Sequence, residues 1–199
     1  MRTAPAAMTR RTLRKILLLA LPLLAGALLN GCTMAAVTVY QLAVDERKIG
    51  TYVDDKTIEA AIAAKFREDE RVRPLELSAF SYNGRVYIVG QYDSTKQKTR
   101  AVRIARQTPG VKSVTAHVLP RRLLPKCGTF DTAALEVRVK GHLIADEHVR
   151  ATNVKVESLQ CNIVLLGIVE TRKEASQAVA CAKNVEGVRS VTSYLRSTQ

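Results

Sequence analysis

The sequence Val86-Tyr87-Ile88-Val89-Gly90 recurs 77 residues later as Ile163-Val164-Leu165-Leu166-Gly167. Both are short apolar runs that end in glycine. Such a run is expected of a buried strand, and the glycine is expected of a turn geometry that other residues disfavour. Around these runs, residues 54–119 align with residues 131–196 without a gap. A repeat of this length in only two copies indicates two similar domains rather than a solenoid of short stacked repeats.

The first copy predicts a helix, a hairpin, a second helix and a last strand. Asp54 or Asp55 is expected to cap the first helix, which has apolar residues at every fourth position. The pair Asn83-Gly84 separates two apolar runs and predicts a hairpin turn. A second helix over about 94–107 and a short strand over 114–118 complete the unit.

The second copy repeats this layout, with Asp131 or Thr132 ahead of a helix whose core positions are Leu135, Val139 and Leu143. Amphipathic helices of this kind cover one face of a sheet. The predicted fold is therefore α+β, with two tandem α-β-β-α-β domains. In each, two helices pack on one face of a small mixed three-stranded sheet.

These patterns resemble the BON domain family. The resemblance is carried by the two strand-glycine runs together with Pro109-Gly110-Val111-Lys112-Ser113-Val114 and the stretch from Val185 to Val191. The lead-in from Ile49 to Asp55 further resembles the outer-membrane lipoproteins that carry two such domains. The resemblance implies contact with phospholipid membranes.

The expected segments are a signal peptide at 1–31, a lipidated tether and lead-in at 32–53, domains at 54–119 and 131–196, a basic linker at 120–130, and a tail at 197–199.

The first 31 residues predict a signal peptide, because a basic start precedes the apolar run 16–29, which is too short to span a bilayer. The run ends in Leu29-Asn30-Gly31-Cys32, which resembles a bacterial lipobox. Cys32 is thus expected to carry a covalent diacylglycerol and an N-acyl lipid, and no other cofactor is expected. An ordinary signal peptide and an uncleaved short anchor are the alternatives, and Arg10-Arg11 leaves twin-arginine export open.

Thr33, rather than Asp, follows the cysteine. The resemblance to bacterial lipoproteins therefore implies a lipid anchor in the outer membrane, with the protein facing the periplasm.

The formal net charge of +13 is partly contributed by the cations of the signal peptide. The linker carries Arg121, Arg122 and Lys126 and is interpreted as the densest positive patch. Export and the lack of aromatic stacking platforms argue against nucleic acid as a partner.

No combination of residues predicts catalysis, a metal site or a small-molecule substrate. His117, His142 and His148 lack metal-ligand spacing, and no nucleophile stands beside a base. The pairs Asp69-Glu70 and Asp146-Glu147 recur at matching positions and are interpreted as polar loops after each first helix. The protein is expected not to be an enzyme.

The first helix of the second domain is the candidate membrane-binding element. With Leu135 facing the core and 100° per residue, its outward face is unusually apolar, whereas the first copy has a polar outward face. The hypothesis is that apolar side chains meet the acyl boundary and cations meet anionic headgroups. The residues concerned are Phe130, Val137, Arg138, Lys140 and Ile144. The alternative is that this face packs on the first domain or on a second molecule.

Three cysteines remain after Cys32. In the α-β-β-α-β layout the hairpin tip returns to the end at which the first helix began, so Cys127 and Cys161 are expected to lie close together and form a disulfide. Cys181 is expected in the apolar face of the last helix.

These observations lead to two alternative hypotheses for the function of the protein. The first is a non-enzymatic lipoprotein that binds an anionic phospholipid membrane and supports outer-membrane integrity, as the resemblance implies. The alternative is a lipid-anchored adaptor that docks onto an outer-membrane assembly or secretion machine.

Overall fold

A computed structural model describes Asp45 and residues 47–72, 77–122, 127 and 129–199, with Thr129 and Phe130 described by their backbone only. The predicted signal peptide at 1–31 and Cys32 lie outside the described residues. Val44–Gln199 form one compact unit, and both repeats lie within it. Among the described residues, no helix has the length and apolar character needed to cross a membrane.

The first domain contains two helices and a three-stranded sheet. Its elements are α1 at Ile49–Glu68, β1 at Leu77–Tyr82, β2 at Arg85–Tyr92, α2 at Thr95–Arg106 and β3 at Ser113–Pro120. The central strand β2 pairs antiparallel with β1 and parallel with β3. The sheet is therefore mixed, because a tight hairpin joins β1 to β2 and a helical crossover joins β2 to β3.

The second domain repeats this topology. Its elements are α3 at Thr129–Ala145, a short 3₁₀ turn at Ala151–Asn153, β4 at Val154–Leu159, β5 at Asn162–Val169, α4 at Arg172–Lys183 and β6 at Ser190–Ser197. The central strand β5 again pairs antiparallel with β4 and parallel with β6. The predicted fold class is confirmed.

The glycine that ends each apolar run has a backbone conformation that side chains disfavour. Gly90 and Gly167 have φ angles of 146° and 147°. At Gly167 a Cβ atom would also stand 2.0 Å from the carbonyl oxygen of Asn153 in the neighbouring 3₁₀ turn. Both positions favour glycine because of the positive φ, and Gly167 does so also because another backbone segment lies close to it.

The start of each first helix differs from the prediction. α1 begins at Ile49, so Asp54 and Asp55 lie inside the helix, and Lys48 at its start makes no side-chain cap. α3 begins at Thr129, so Asp131 also lies inside its helix. Asp55 does not cap because its carboxylate is buried and binds a different element.

The three residues expected to form a tail continue the second sheet instead. β6 extends to Ser197. The backbone N–H of Thr198 then donates to Val169 at 3.1 Å, and that of Gln199 donates to Glu170 at 3.2 Å. The parallel strand pairing thus extends through the last residue.

Each domain has its own helix–sheet core. In the first, Ile62 and Phe66 of α1 pack against Val86 and Ile88 of β2 together with Ala105 of α2. In the second, the corresponding residues of α3, β5 and α4 form an equivalent cluster, which includes Leu135, Val139, Leu143, Ile163, Leu165, Ala178 and Ala182. These side chains follow the helical and alternating-strand periodicity of the sequence.

A third core lies between the two sheets. Tyr87 and Val89 of β2 point away from the helices of their own domain and pack in one cluster with Val164 and Leu166 of β5. All four are less than 8% exposed. The two central strands are therefore buried on both faces, and the order of layers is helices, sheet, sheet, helices.

The interface between the sheets brings equivalent residues together. His117 Nδ1 lies 3.1 Å from the hydroxyl of Tyr194, and these two residues occupy the same position in the two repeats. Contact between equivalent positions is typical of a two-fold arrangement. Outside the apolar cluster, the Gln160 side-chain amide donates to Gln91 and to the Pro120 carbonyl.

A buried polar cluster fixes the start of the first domain. The Asp55 carboxylate accepts hydrogen bonds from the N–H groups of Asn83 and Gly84 and from the Ser81 hydroxyl, at 2.7 to 2.8 Å. Arg47 pairs with both Asp55 and Asp45 at 2.7 Å. Burial alone raises the pKa of Asp55, but these hydrogen bonds outweigh it and hold the pKa below its ordinary value.

Asp55→Ala is expected to lower the free energy of unfolding by about 3 kcal/mol, because the Arg47 guanidinium and the hairpin N–H groups lose their buried acceptor. Urea unfolding of a chain that begins at Thr33 measures this, since that chain retains the compact unit. The matched control is Asp54→Ala at the neighbouring exposed position, for which about 0.5 kcal/mol or less is expected. Equal losses in the two variants would contradict the role of the cluster.

His117 should make the stability of the chain depend on pH. Burial lowers the pKa of His117, so below about pH 6.5 the unfolded chain takes up the proton first and stability falls. His117→Gln should reduce the loss of stability between about pH 7.5 and about pH 5.5. Urea midpoints of the two proteins at both pH values check this, and identical pH dependence would refute it.

Candidate functional site

The outward face of α3 exposes two large aliphatic side chains. Val137 is 72% exposed and Ile144 is 68% exposed, whereas Leu135, Val139 and Leu143 of the same helix are buried. Val137 and Ile144 are two turns apart, so they lie on one face of the helix. Exposed aliphatic residues of this size on one face point to a contact surface.

The corresponding face of α1 is different. Ala60 and Arg67 occupy the positions equivalent to Val137 and Ile144, and both are exposed. The two helices share their core residues, so the fold itself does not require large apolar side chains on the outer face. The exposed large hydrophobic residues of α1, Ile49 and Val53, lie in its first turns instead.

One of the two alternatives for this face is removed by the packing. Val137 and Ile144 are exposed in a chain in which both domains are present, and the domains contact each other through their sheets. The outer face of α3 therefore does not pack on the first domain. A membrane and a second molecule remain as occupants.

Lys140 does not lie with Val137 on the exposed face, and its expected orientation is wrong. Its ammonium donates to the carbonyl of Val154 at 2.6 Å and also to that of Ala151. Burial lowers the pKa of Lys140, and the nearby charge of Lys155 adds to that effect. The long flexible stem lets the charged end reach inward from an outward helix position, and it binds the carbonyls of the turn into β4.

The other two predicted residues are placed only in part. Arg138 is exposed and lies beside the α4–β6 loop, where a Cβ on Gly187 would be 3.6 Å from its guanidinium. Phe130 lies in the first turn of α3, and its side chain falls outside the described residues.

The recurring acidic pairs tie loops to helices. Asp69 pairs with Arg100 of α2 at 2.6 Å, and its repeat equivalent Asp146 accepts from Gln177 of α4 at 2.7 Å. Arg100 lowers the pKa of Asp69, and Gln177 lowers that of Asp146. The described part of the chain holds no group of three or more His, Cys, Asp or Glu side chains placed to bind a metal ion.

A disulfide joins Cys127 to Cys161, with Cα atoms 5.9 Å apart. This is the pair that the sequence predicts. Cys161 lies at the tip of the β4–β5 hairpin with a φ of 60°, and Cys127 lies just ahead of α3. Cys181 is a free, half-buried thiol that packs against the core of the second domain.

Residues 54–119 and 131–199 both match the BON domain. The chain belongs to the BON domain family. The second match includes the last three residues, in agreement with their pairing in the second BON sheet.

Several relatives resemble three quarters of the chain or more. The outer membrane lipoprotein DolP of Haemophilus influenzae is 31% identical over 185 residues, which are 90% of this chain and 95% of that protein. The osmotically-inducible protein Y of Escherichia coli is 30% identical over 152 residues, with coverages of 75% and 76%. The 21 kDa hemolysin of Actinobacillus pleuropneumoniae is 28% identical over 160 residues, with coverages of 78% and 80%.

Loss of the disulfide should destabilise the second BON domain. The bond closes a loop of 34 residues, for which the chain-entropy estimate is about 4 kcal/mol. Cys161→Ser should therefore lower the urea midpoint of the oxidised chain, and reduction of the parent should have a similar effect. Cys181→Ser is the control and should leave the midpoint nearly unchanged. An unchanged midpoint for Cys161→Ser would contradict the pairing.

Proposed function

We propose that this chain is a non-enzymatic, lipid-anchored envelope protein that binds anionic phospholipid through the outer face of α3 and supports outer-membrane integrity. The observation that carries the proposal is the exposure of Val137 and Ile144 on one face of α3, whereas the equivalent positions of α1 hold Ala60 and Arg67. The lipid anchor is attached to Cys32 and lies in the outer membrane, and the body of the protein faces the periplasm. The name of a relative that matches 90% of the chain, an outer membrane lipoprotein, supports a location in the envelope.

The size of the apolar contact is consistent with an anchored protein. Burial of Val137 and Ile144 contributes roughly 2 to 4 kcal/mol, and Arg138 near an anionic surface adds about 1 kcal/mol. A total near 4 kcal/mol corresponds to half-binding at about 1 mM lipid. Such a contact is weak for a free protein.

A lipid anchor changes that balance. Acyl chains on Cys32 contribute about 0.8 kcal/mol for each buried methylene and hold the protein at the bilayer. Binding by α3 then becomes an intramolecular event at a high effective concentration. The helix is thereby proposed to orient the protein on the membrane while the acyl chains retain it there.

Vesicle flotation tests the membrane contact. A chain that begins at Thr33, and so lacks the acyl chains, should float with vesicles of phosphatidylethanolamine and phosphatidylglycerol at millimolar lipid. Val137→Asp should reduce its apparent affinity by about tenfold, because an apolar contact is lost and a carboxylate opposes the anionic surface. Ala60→Asp is the matched control, since it adds the same charge at the equivalent exposed position of α1.

Two results would refute the membrane contact. The first is the absence of flotation for the parent, and the second is an equal loss for Val137→Asp and Ala60→Asp. If Val137→Asp instead abolished capture of an outer-membrane assembly protein and left flotation intact, α3 would be a protein-docking surface, as in the adaptor alternative.

A further inference from the structure

The outward face of α2 is rich in cations and has no acidic residue. The helix Thr95–Arg106 contains five Lys or Arg residues and no acid. Lys96, Arg100 and Arg103 follow one another at intervals of four and three residues, so they form a stripe along the helix, and Arg106 lies at its end. In the linker, which the sequence indicates as the densest positive patch, Arg121 pairs with Asp93 at 2.7 Å.

The fold does not require this stripe. In α4, which occupies the same place in the second domain, the positions equivalent to Lys96, Arg100, Arg103 and Arg106 are Lys173, Gln177, Ala180 and Lys183. α4 also carries Glu174. Both helices bury small or aliphatic residues on the opposite side, including Ala101 and Ala105 in α2 and Ala178 and Ala182 in α4. Arg100 and Arg103 therefore have no counterpart charge in α4, although the two helices pack in the same way.

Most of the stripe has no acidic partner within the described chain. Arg100 pairs with Asp69, and the Lys98 ammonium lies 5.7 Å from the centroid of the Tyr92 ring. Lys96, Arg103 and Arg106 form no salt bridge to any described carboxylate. Like charges at neighbouring helix positions repel one another, so an anion placed along this face would remove an existing cost.

Two surface depressions flank the stripe. One, of about 560 Å³, is lined by Arg71, Lys96, Arg100 and Arg103, and the other, of about 500 Å³, by Lys98, Arg103 and Arg106 among others. Arg103 borders both. The cations thus project around concave surfaces on which a chain with several anionic groups could lie.

The chemistry of the stripe favours carboxylates over a bilayer. A helix that lies on a membrane combines cations with exposed large apolar or aromatic residues, and α2 has no exposed large hydrophobic residue. Its guanidinium groups pair with carboxylates and with phosphates alike, so the lack of exposed apolar residues is the feature that argues against a bilayer. The order of layers also places α2 on the side opposite to α3, so both faces can be occupied at the same time.

We propose that the α2 stripe is a docking surface for an acidic polypeptide segment of another envelope protein. Lys96, Arg103 and Arg106 supply the free charges, and Arg100 fixes the middle of the stripe beside Asp69. Binding of this kind is driven by charge complementarity and weakens as salt is added.

Fluorescence anisotropy with a short labelled poly-L-glutamate peptide tests the proposal on the chain that begins at Thr33. Lys96→Glu/Arg106→Glu should weaken binding of the peptide by about tenfold at physiological salt. The matched control is Lys173→Glu/Lys183→Glu, which makes the same charge change at the equivalent positions of α4 and should have a much smaller effect. Circular dichroism confirms that both variants are folded.

Three outcomes would overturn the proposal. Equal weakening in the two variants would mean that the peptide responds only to net charge. Absence of peptide binding by the parent would remove the docking surface. A loss of flotation with phosphatidylglycerol vesicles in Lys96→Glu/Arg106→Glu, together with unchanged peptide binding, would assign the stripe to the membrane. Since flotation and peptide binding are separate measurements, this proposal and the membrane contact of α3 can fail independently.

Discussion

The apolar contact between the two sheets determines which surfaces this protein can offer. Tyr87 and Val89 of β2 and Val164 and Leu166 of β5 bury the sheet faces that the helices leave open. A three-stranded sheet with helices on one side exposes its other face to water unless something covers it. Because each domain covers the other, the described helices α1 to α4 lie on the outside, and α2 and α3 become surfaces on opposite sides.

The two repeats stabilise the same hairpin tip by different chemistry. In the first, the Asp55 carboxylate accepts from the N–H groups of Asn83 and Gly84. A buried carboxylate needs a counter-charge, which Arg47 supplies. In the second, the residues equivalent to Asp55 and Gly84 are Thr132 and Cys161, and the disulfide from Cys161 to Cys127 ties the tip to the start of α3. A covalent bond requires no buried charge, so no counterpart of the Arg47 cluster is needed there.

The sequence predicts those features that depend on local periodicity and turn chemistry. The order of helices and strands, the hairpin at Asn83-Gly84 and the outward position of Val137 all follow from spacing along one element. The sheet-to-sheet packing is a long-range feature, and its only local sign is that β2 and β5 are apolar at consecutive positions. Helix periodicity does not predict the position of the Lys140 ammonium, because it gives only the direction of the Cα–Cβ bond, whereas a four-carbon stem can carry the ammonium elsewhere. The role of Asp55 does not follow from local spacing, because its partners lie almost thirty residues away in the chain.

The buried cluster of Arg47, Asp45 and Asp55 also bears on how the protein would be oriented by the proposed lipid on Cys32. Arg47 donates to the Ser81 carbonyl as well as to Asp55, so the chain entering α1 is fixed to the first hairpin. The thirteen residues from Cys32 to Asp45 can span at most about 45 Å, so a lipid at Cys32 would hold the first domain close to a bilayer. The proposed contact of α3 belongs to the second domain. A single tether leaves the whole compact unit free to rotate about its attachment point. A second contact, made by the second domain, removes most of that rotational freedom, because the two domains are packed together through their sheets. The buried sheet interface is what would allow a weak contact at Val137 and Ile144 to orient the whole compact unit and turn α2 away from the membrane.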